Sequence, residues 1–488
     1  MTALKMKAFK KILLAIFSIS VLFLPAGASV SADQEQLQGP LLQPAMDRIR
    51  KFAGSAGIQI VALPSGQVIA ESRAAEPFVP ASLVKMLTGY TALKKLGPSF
   101  RFSTALYTMN EPSGGVVQSD IWIKSNGDPY FVADNADQLA RALRDRGVHQ
   151  IRGGLYADNS FFQPGSEQVC LDSDCIGVYN PVISATAVDF NLLTVRLTFP
   201  PKAGKPVTID SVPAGDYARI AGRPAAASGK KKGGGLLRVR SVGATGNGQE
   251  EFLVSGSAGK GSRVREFRFH PADPAGFSAH AMRTALERAG IKVEGQTAKE
   301  GTMPAGAKAI AVCESPPLLE IVSQMNKYSN NFMAEMLLRS IGGHLAGAPG
   351  TPAKGIAIVR KALQEAGIQE QLGMLDCGSG LSRFCRITPD TFSRLLTAAW
   401  KDPALRDDFF SSLAVNAEEG TLRRRMRKPG LTVHGKTGTL NNVIGFSGYV
   451  TGPSGRTFAV SIMLNDVRDR AGARQAIDAL LEEVAFSS

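Results

Sequence analysis

Histidine is scarce in this sequence, with five residues in 488. They are His149, His270, His280, His344 and His434. Their spacing matches neither a zinc-ligand pattern nor the chain order of a Ser-His-Asp triad, so we expect no metal and no organic cofactor. His434 lies two positions before Lys436 on an expected strand, and we expect it to point away from that lysine and to be structural.

Cysteine is equally scarce, also with five residues. A chain of this length buries a large core without cross-links, so we expect no disulfide framework. Two pairs are close enough in sequence to close small loops, Cys170 with Cys175 and Cys377 with Cys385, which leaves Cys313 over. The alternative is that some of them remain buried thiols, and the sequence leaves this open.

An apolar run of about 18 residues, long enough to span a membrane, is missing as well. The shorter run 12–24 follows four lysines and is followed by small residues at 26–32. This pattern is typical of a secretory signal peptide cut after Ala28 or Ala32. We therefore predict that residues 1–32 are removed and that the protein is exported to the periplasm; an uncleaved anchor is the alternative.

Acidic residues are outnumbered, 42 against 56 lysines and arginines, for a formal net charge of +14. A basic surface suits anionic partners. An exported protein seldom meets nucleic acid, and no zinc spacing or helix-turn-helix signal is present, so we expect anionic envelope polymers or peripheral contact with a membrane, and no nucleic acid. The densest basic cluster, at 423–428, is interpreted as a solvated face rather than a binding patch.

Three short strings offer, in chain order, the groups of one kind of chemistry. They are Ser82-Leu83-Val84-Lys85, Ser329-Asn330-Asn331 and Lys436-Thr437-Gly438. The first places an amine one helical turn from a hydroxyl, the second adds a hydroxyl and an amide, and the third adds an ammonium group beside a hydroxyl. Together they indicate acyl transfer to a serine.

The residues around the first string distinguish it from a chance match to Ser-x-x-Lys. Ser-x-x-Lys also occurs at Ser228 and Ser257, but both copies lie in glycine-rich stretches that are typical of loops. Ser82 is instead surrounded by apolar residues up to Gly89, which predicts a buried helix. Positions i and i+3 share a helix face, so Lys85 is placed to take the proton of Ser82.

The third string lies in a region whose sequence pattern predicts a β-sheet. Residues 431–438 lead into apolar segments at 445–450 and 457–464, which predict strands joined at 453–455. At Gly438 the missing side chain would let a ligand backbone lie against the strand edge.

In these three strings the chain resembles the penicillin-recognising serine enzymes. It most resembles their class C low-molecular-mass penicillin-binding proteins, the D-alanyl-D-alanine carboxypeptidase/endopeptidase family S13. The wide spacing between Ser82 and Ser329 is similar to this class, which carries a large insertion between these motifs. Further similar strings are Gly127-Asp128-Pro129, Leu155 to Phe162 and Asp376 to Arg383.

The resemblance implies an α/β (α+β) catalytic domain of the serine β-lactamase/transpeptidase type with a large, mainly β insertion of two nested domains. We predict that the catalytic domain comprises 33–98 and 309–488. The inserted domain would comprise 99–187 and 271–308, with a smaller β domain at 188–270 nested inside it.

The resemblance also implies roles. Ser82 would be the nucleophile, Lys85 its base, with a pKa lowered by burial and by the charge of Lys436, and Ser329 the relay to the leaving amine. Asn331 would hold a substrate amide and position Lys85, while Lys436 and Thr437 would bind the carboxylate of the terminal D-alanine. The backbone N–H groups of Ser82 and Thr439 would form the oxyanion hole.

Three assignments stay open on the residues alone. Asp158 and Arg383 would contact the charged third residue of the stem peptide or form a plain surface ion pair. Asn330 would belong to the site or cap the following helix.

The expected partners are peptidoglycan stem peptides and cross-links, and β-lactams as covalent inhibitors. Carboxypeptidase and endopeptidase action differ only in the leaving amine, and the residues do not distinguish them. A serine β-lactamase is a rival, although the Glu-x-x-Leu-Asn string of class A is missing. A non-catalytic scaffold that binds peptidoglycan is the other.

Overall fold

The structure is a computed structural model that describes residues 32–164, 177–200, 206–222, 224–226, 237–245, 248–258, 263–368 and 373–487. The expected signal peptide, the Cys170–Cys175 pair and the glycine-lysine stretch at Ser228 lie outside these ranges, apart from Ala32. None of the helices within them combines the length and the apolar character needed to cross a membrane.

The described helices are α1 (Ala32–Arg50), α2 (Val84–Leu96), α3 (Ala133–Asp145), α4 (Pro274–Arg288), α5 (Leu318–Tyr328), α6 (Asn331–Ala346), α7 (Pro352–Glu365), α8 (Pro389–Lys401), α9 (Arg406–Ser411) and α10 (Arg470–Phe486). The strands are β1 (Ala53–Leu63), β2 (Val68–Ser72), β3 (Ser103–Thr108), β4 (Val116–Val117), β5 (Ile121–Ser125), β6 (Gln150–Ile151), β7 (Leu155–Asp158), β8 (Leu193–Thr198), β9 (Thr208–Val212), β10 (Ala218–Ala221), β11 (Ala225–Ala226), β12 (Arg238–Ala244), β13 (Glu250–Ser255), β14 (Ser257–Ala258), β15 (Val264–Phe269), β16 (Lys292–Val293), β17 (Thr297–Glu300), β18 (Lys308–Glu314), β19 (Ala414–Val415), β20 (Thr432–Leu440), β21 (Val443–Thr451) and β22 (Thr457–Val467).

The largest sheet joins the two ends of the chain. Its six strands run in the order β19-β20-β21-β22-β1-β2, and all neighbours are antiparallel. β21 and β22 are buried almost throughout, because helices cover both faces of the sheet. The strands expected on either side of 453–455 are confirmed, and the sheet carries the Lys-Thr-Gly string on β20.

Two hydrophobic cores flank this sheet. On one face, α2, α5, α6, α7 and α8 enclose an apolar core that includes Tyr449 and Met463 from the sheet. On the other face, α1 and α10 pack over apolar residues such as Phe446 and Ile462. The Ser82 and Ser329 strings both lie on the many-helix side, next to β20.

The inserted region has its own sheets and its own core. A five-stranded sheet has the order β17-β7-β5-β3-β18, and α3 and α4 contribute to the apolar core that it shares with the smaller sheets. Strands β8 to β15 pair among themselves in short sheets. Residues 309–314, at the start of the second predicted catalytic segment, lie in β18, which pairs with β3 of the inserted region, and helix α5 begins at Leu318.

The three cysteines in the described ranges, Cys313, Cys377 and Cys385, are buried free thiols. The structure therefore contains no Cys377–Cys385 disulfide. The Cys377 and Cys385 thiols are hydrogen-bonded to each other, and this contact, followed by burial, raises the pKa of Cys377.

Candidate active site

Ser82 lies on a single turn of 3₁₀-helix, 81–83, that leads directly into α2. Residues Val84 to Leu93 of α2 are all buried, so the expected buried helix is confirmed. Lys85 is 0% exposed, and its Nζ lies 3.0 Å from Ser82 Oγ. The i, i+3 spacing thus brings the amine and the hydroxyl together as predicted.

The Lys85 amine has two further neighbours, both carbonyl oxygens. It donates to Asn331 Oδ1 and to the Ser379 carbonyl, each at 2.7 Å. A carbonyl oxygen only accepts, so in a neutral amine these contacts use both N–H groups and leave the nitrogen lone pair for Ser82 Oγ. This arrangement orients a base toward the hydroxyl.

The electrostatics favour that neutral amine. Burial lowers the pKa of Lys85 to about 7, against the opposing effects of Glu335 and Cys377. Burial and the charge of Lys85 lower the pKa of Lys436 as well. Both lysines are completely buried, and burial is the main cause of the lowered pKa of each amine.

The second string forms the connection between α5 and α6. Ser329 has φ 59°, in the left-handed region, and ends α5. Asn330 accepts from the Met333 N–H at 3.1 Å, so its role as the cap of α6 is confirmed. Asn331, the next residue, points to Lys85 with Oδ1 and donates from Nδ2 to the Tyr179 carbonyl at 2.8 Å.

Lys436 connects the strand to this turn. Its Nζ donates to Ser329 Oγ at 2.9 Å and to the Thr437 carbonyl at 2.7 Å. β19 pairs only with Gly435 and His434, so from Lys436 onward the outer edge of β20 has no strand partner among the described residues. An extended peptide has room to lie along that edge.

Gly438 has a packing role beside the expected approach of a ligand backbone, which stays a prediction. A Cβ at this position would lie 2.8 Å from the Pro80 carbonyl and 3.2 Å from Ala81 Cβ. Glycine is therefore required for β20 to approach the turn that carries Ser82.

Glu335 is a site residue that the motifs do not reveal. It is 1% exposed on α6, and its Oε1 accepts from the backbone N–H groups of Gly378 and Ser379, at 3.0 and 2.9 Å. Its Oε2 is 3.1 Å from Arg339, itself 3% exposed. An acid within the apolar stretch 332–338 was the available signal, since a buried charge needs dedicated partners.

The two candidates for peptide contact have different surroundings. Arg383 is half-buried and donates to Asn442 Oδ1 and to the Asn441 carbonyl, at the turn between β20 and β21, so its contact with a peptide stays a prediction. The Asp158 side chain is 0% exposed. The expectation that Asp158 contacts the peptide is therefore corrected to a buried structural role.

The neighbours of Asp158 explain this role. Its carboxylate accepts from Lys124, from the Met303 N–H and from the Ser160 N–H, at 3.0, 2.7 and 2.7 Å. Although burial raises the pKa of Asp158, the combined hydrogen bonds of Ser160, Met303 and Lys124 lower it overall.

His434 also needs a correction. Residues two apart on a strand face the same way, so the expected alternation away from Lys436 is wrong. The imidazole stacks on Phe410 with ring centroids 3.8 Å apart. This contact accounts for the residue as part of the packing under β20.

The fold and the grouping of these residues define a serine acyl-transfer enzyme of the penicillin-recognising type. The sequence profile of the D-Ala-D-Ala carboxypeptidase 3 (S13) family matches residues 34–484. The chain belongs to this family. The predicted α/β penicillin-recognising fold is likewise confirmed.

Individual relatives agree with this assignment. A D-alanyl-D-alanine carboxypeptidase from Actinomadura sp. (strain R39) is 32% identical over 460 residues, which cover 90% of this chain and 82% of that one. The crystal structure of penicillin binding protein 4 from Haemophilus influenzae superposes with a TM-score of 0.75 at 22% identity, covering 91% of this chain and 99% of that one. A second structure of that protein, with a TM-score of 0.72 at 21% identity and coverage of 91% and 99%, is a complex with a β-lactam.

Proposed function

We propose that this protein is an exported serine D-alanyl-D-alanine carboxypeptidase of the periplasm, which also cleaves D-alanyl cross-links and is acylated by β-lactams. One observation carries the proposal: Lys85 Nζ donates to two carbonyl oxygens and faces Ser82 Oγ at 3.0 Å. This geometry supports a general base within reach of a nucleophile.

Acylation follows from these contacts. Ser82 Oγ attacks the carbonyl carbon between the two D-alanines while Lys85 takes its proton, and the carbonyl oxygen becomes an oxyanion. The backbone N–H groups of Ser82 and Thr439 are the proposed donors to it, and each such donor is worth about 3 kcal/mol in the transition state.

The tetrahedral intermediate then breaks its C–N bond. Ser329 donates a proton to the departing amine and is reprotonated from Lys436, which lies 2.9 Å from its hydroxyl. The proton that Lys85 took from Ser82 then replaces the one that Lys436 gave, so that Lys85 is neutral again. Water subsequently attacks the Ser82 ester and loses its proton to Lys85, which returns it to Ser82 Oγ as the C–O bond breaks and the shortened peptide is released. The carboxylate of the leaving D-alanine would be bound by Lys436 and Thr437.

Acylation by β-lactams is supported by the complex formed by the Haemophilus influenzae protein, which shares the fold. In a penicillin, as in D-Ala-D-Ala, the nitrogen of the amide bond that is cleaved is attached to a carbon that bears a carboxylate. Export is supported by the signal-peptide pattern at residues 1–32.

The test is to incubate purified mature protein with benzylpenicillin and, separately, with a pentapeptide that ends in D-Ala-D-Ala. We expect one stable adduct on Ser82, found by intact mass and peptide mapping, and release of D-alanine. Ser82→Ala should lose both while keeping its circular dichroism spectrum. Rapid turnover of penicillin without D-alanine release would instead identify a β-lactamase, and neither adduct nor product would identify a scaffold.

A further inference from the structure

A cavity adjoins the Lys-Thr-Gly strand on the side away from the α2 helix. Its volume is about 290 Å³, and it lies between β20, β21 and α10. Thr437 and Thr439 line it from the strand, and Thr421 lines it from the loop after β19. The Thr437 hydroxyl is 2.9 Å from that of Thr421, so hydroxyl groups converge at the mouth of the cavity.

Two guanidinium groups line the same cavity, those of Arg425 and Arg474. Arg425 is neutralised by Asp478, whose two carboxylate oxygens lie 3.1 and 3.2 Å from its Nε. Arg474 is exposed and makes no ion pair with any residue that the structure describes. Its positive charge is therefore available to a ligand.

Two positive groups and one negative group act on Arg474. Burial, followed by the charges of Arg470 and Arg425, lowers the pKa of Arg474, while the charge of Asp478 raises it by less. An anion entering the cavity would relieve this repulsion and meet a guanidinium group, which matches a carboxylate with two parallel N–H donors. The cavity is thus suited to a carboxylate.

The position of the cavity relates it to the leaving group. In the proposed reaction the acyl carbon sits at Ser82, and the departing amine lies between Ser329 and Thr437. A free D-alanine has one carboxylate, which Lys436 and Thr437 would hold. The fragment that leaves from a cross-link is a whole stem peptide with additional carboxylates, and it needs space beyond Thr437.

We propose that this cavity is the binding site for the leaving stem peptide of a cross-link, and that Arg474 binds a carboxylate which free D-alanine lacks. This inference rests on the proposed function and deepens it. Arg474 then determines the preference for cross-linked over monomeric peptides. The reacting groups at Ser82 and Lys85 serve both substrates.

The experiment compares kcat/KM of the mature protein on a monomeric pentapeptide and on a purified D-alanyl cross-linked peptide dimer. In Arg474→Ala we expect kcat/KM on the dimer to fall about tenfold more than on the monomer, which corresponds to about 1.4 kcal/mol. Arg474→Lys keeps the charge and should recover part of the loss. The matched control is Arg470→Ala, one helical turn away and outside the cavity, which should change neither value more than twofold.

A binding measurement avoids any dependence on turnover. The free leaving stem peptide should slow acylation of Ser82 by a fluorescent penicillin in the unmodified protein, and about tenfold more of it should be needed for Arg474→Ala. Equal losses on both substrates, or an unchanged requirement for the stem peptide, would overturn the inference.

The failures of the two proposals are distinguishable. If the protein releases D-alanine from the monomer but leaves the dimer intact, this inference is wrong and the carboxypeptidase stands. If penicillin does not acylate Ser82 and neither peptide is cleaved, the proposed function is wrong and the inference falls with it.

Discussion

Glu335 and Lys85 hold the same residue, Ser379, at its two backbone groups. Glu335 Oε1 accepts from the Ser379 N–H at 2.9 Å, and Lys85 Nζ donates to the Ser379 carbonyl at 2.7 Å. Close packing adds to this, since a Cβ on the next residue, Gly380, would lie 1.8 Å from the Ala81 carbonyl. A buried carboxylate on α6 thus positions the turn that directs the Lys85 amine at Ser82.

We predict that Glu335→Gln moves the pH dependence of acylation. The titratable groups near Lys85 are Glu335 and Cys377, which raise its pKa against the effect of burial, and Lys436, whose own pKa Lys85 lowers. Glu335 raises the pKa of Lys85, which is about 7, so loss of its charge should lower that pKa. Because the base must be neutral, the acidic limb of kcat/KM should shift to lower pH.

Penicillin acylation rates between pH 5 and 9 would measure this shift. Glu335→Asp is the matched control, because it keeps the charge and should keep the midpoint even if the rate falls. A uniform loss of rate at every pH in Glu335→Gln would show that the residue only stabilises the fold.

Lys436→Ala is expected to weaken recognition of a carboxylate. The ammonium group is buried and donates to Ser329 Oγ, and a hydrogen bond to a charged group is worth roughly 1.5–3 kcal/mol. We expect kcat/KM on the pentapeptide to fall about 10- to 100-fold, and less on the C-terminal amide. An equal fall in kcat/KM on the pentapeptide and on its C-terminal amide would show that Lys436 only positions Ser329.

Asp158 and Arg383 should respond in opposite ways to alanine substitution. Asp158→Ala removes a buried carboxylate that accepts from Lys124 and from two backbone N–H groups, which costs about 3 kcal/mol of unfolding free energy, and should leave peptide specificity intact. Arg383→Ala should leave the unfolding free energy nearly unchanged and alter kcat/KM on peptides with a charged third residue. Denaturant unfolding and kinetics on the same preparations would decide both, and a specificity change in Asp158→Ala would restore its predicted peptide contact.

Asp128 makes stability depend on pH. It is 2% exposed, and burial raises its pKa from 3.8 to about 7, against one hydrogen bond from the Tyr130 N–H. Between these values the unfolded chain loses the proton and the folded chain keeps it, so the free energy of unfolding falls as pH rises from about 4 to about 7 and stays lower above that.

Asp128→Asn should remove this dependence. Each pKa unit corresponds to about 1.4 kcal/mol, so the variant should gain up to a few kcal/mol over the natural protein at pH 8 relative to pH 4. Urea unfolding at both pH values measures the difference. If the variant and the natural protein differed in unfolding free energy by the same amount at pH 4 and at pH 8, the predicted role of Asp128 would be contradicted.

Local pattern was enough to place the reactive groups on their elements. The spacing of Ser82 and Lys85 predicts a shared helix face, and the structure places Nζ 3.0 Å from Oγ. The strands around 453–455 and the cap at Asn330 were likewise readable, because periodicity, turns and caps depend on neighbours within a few residues.

Which side chains are buried, and against which segments, could not be predicted from local sequence patterns. For Asp158 a peptide contact and a surface ion pair were both open, and its side chain is fully buried and paired with Lys124. Residues 309–314 were expected in the catalytic part and lie in a strand that pairs with β3. Each outcome depends on which distant segment packs against the residue. A single sequence holds no direct record of such pairs.

The sequence by itself determined that a serine, two lysines and an amide occur in strings suited to acyl transfer, since these depend on residue type and short spacing. Only the tertiary structure decided how Lys85 is oriented, because its acceptors Asn331 and Ser379 lie 246 and 294 positions away along the chain. The same holds for the pKa of Lys85, which burial sets, and for the cavity at Arg474, whose walls come from segments brought together by folding.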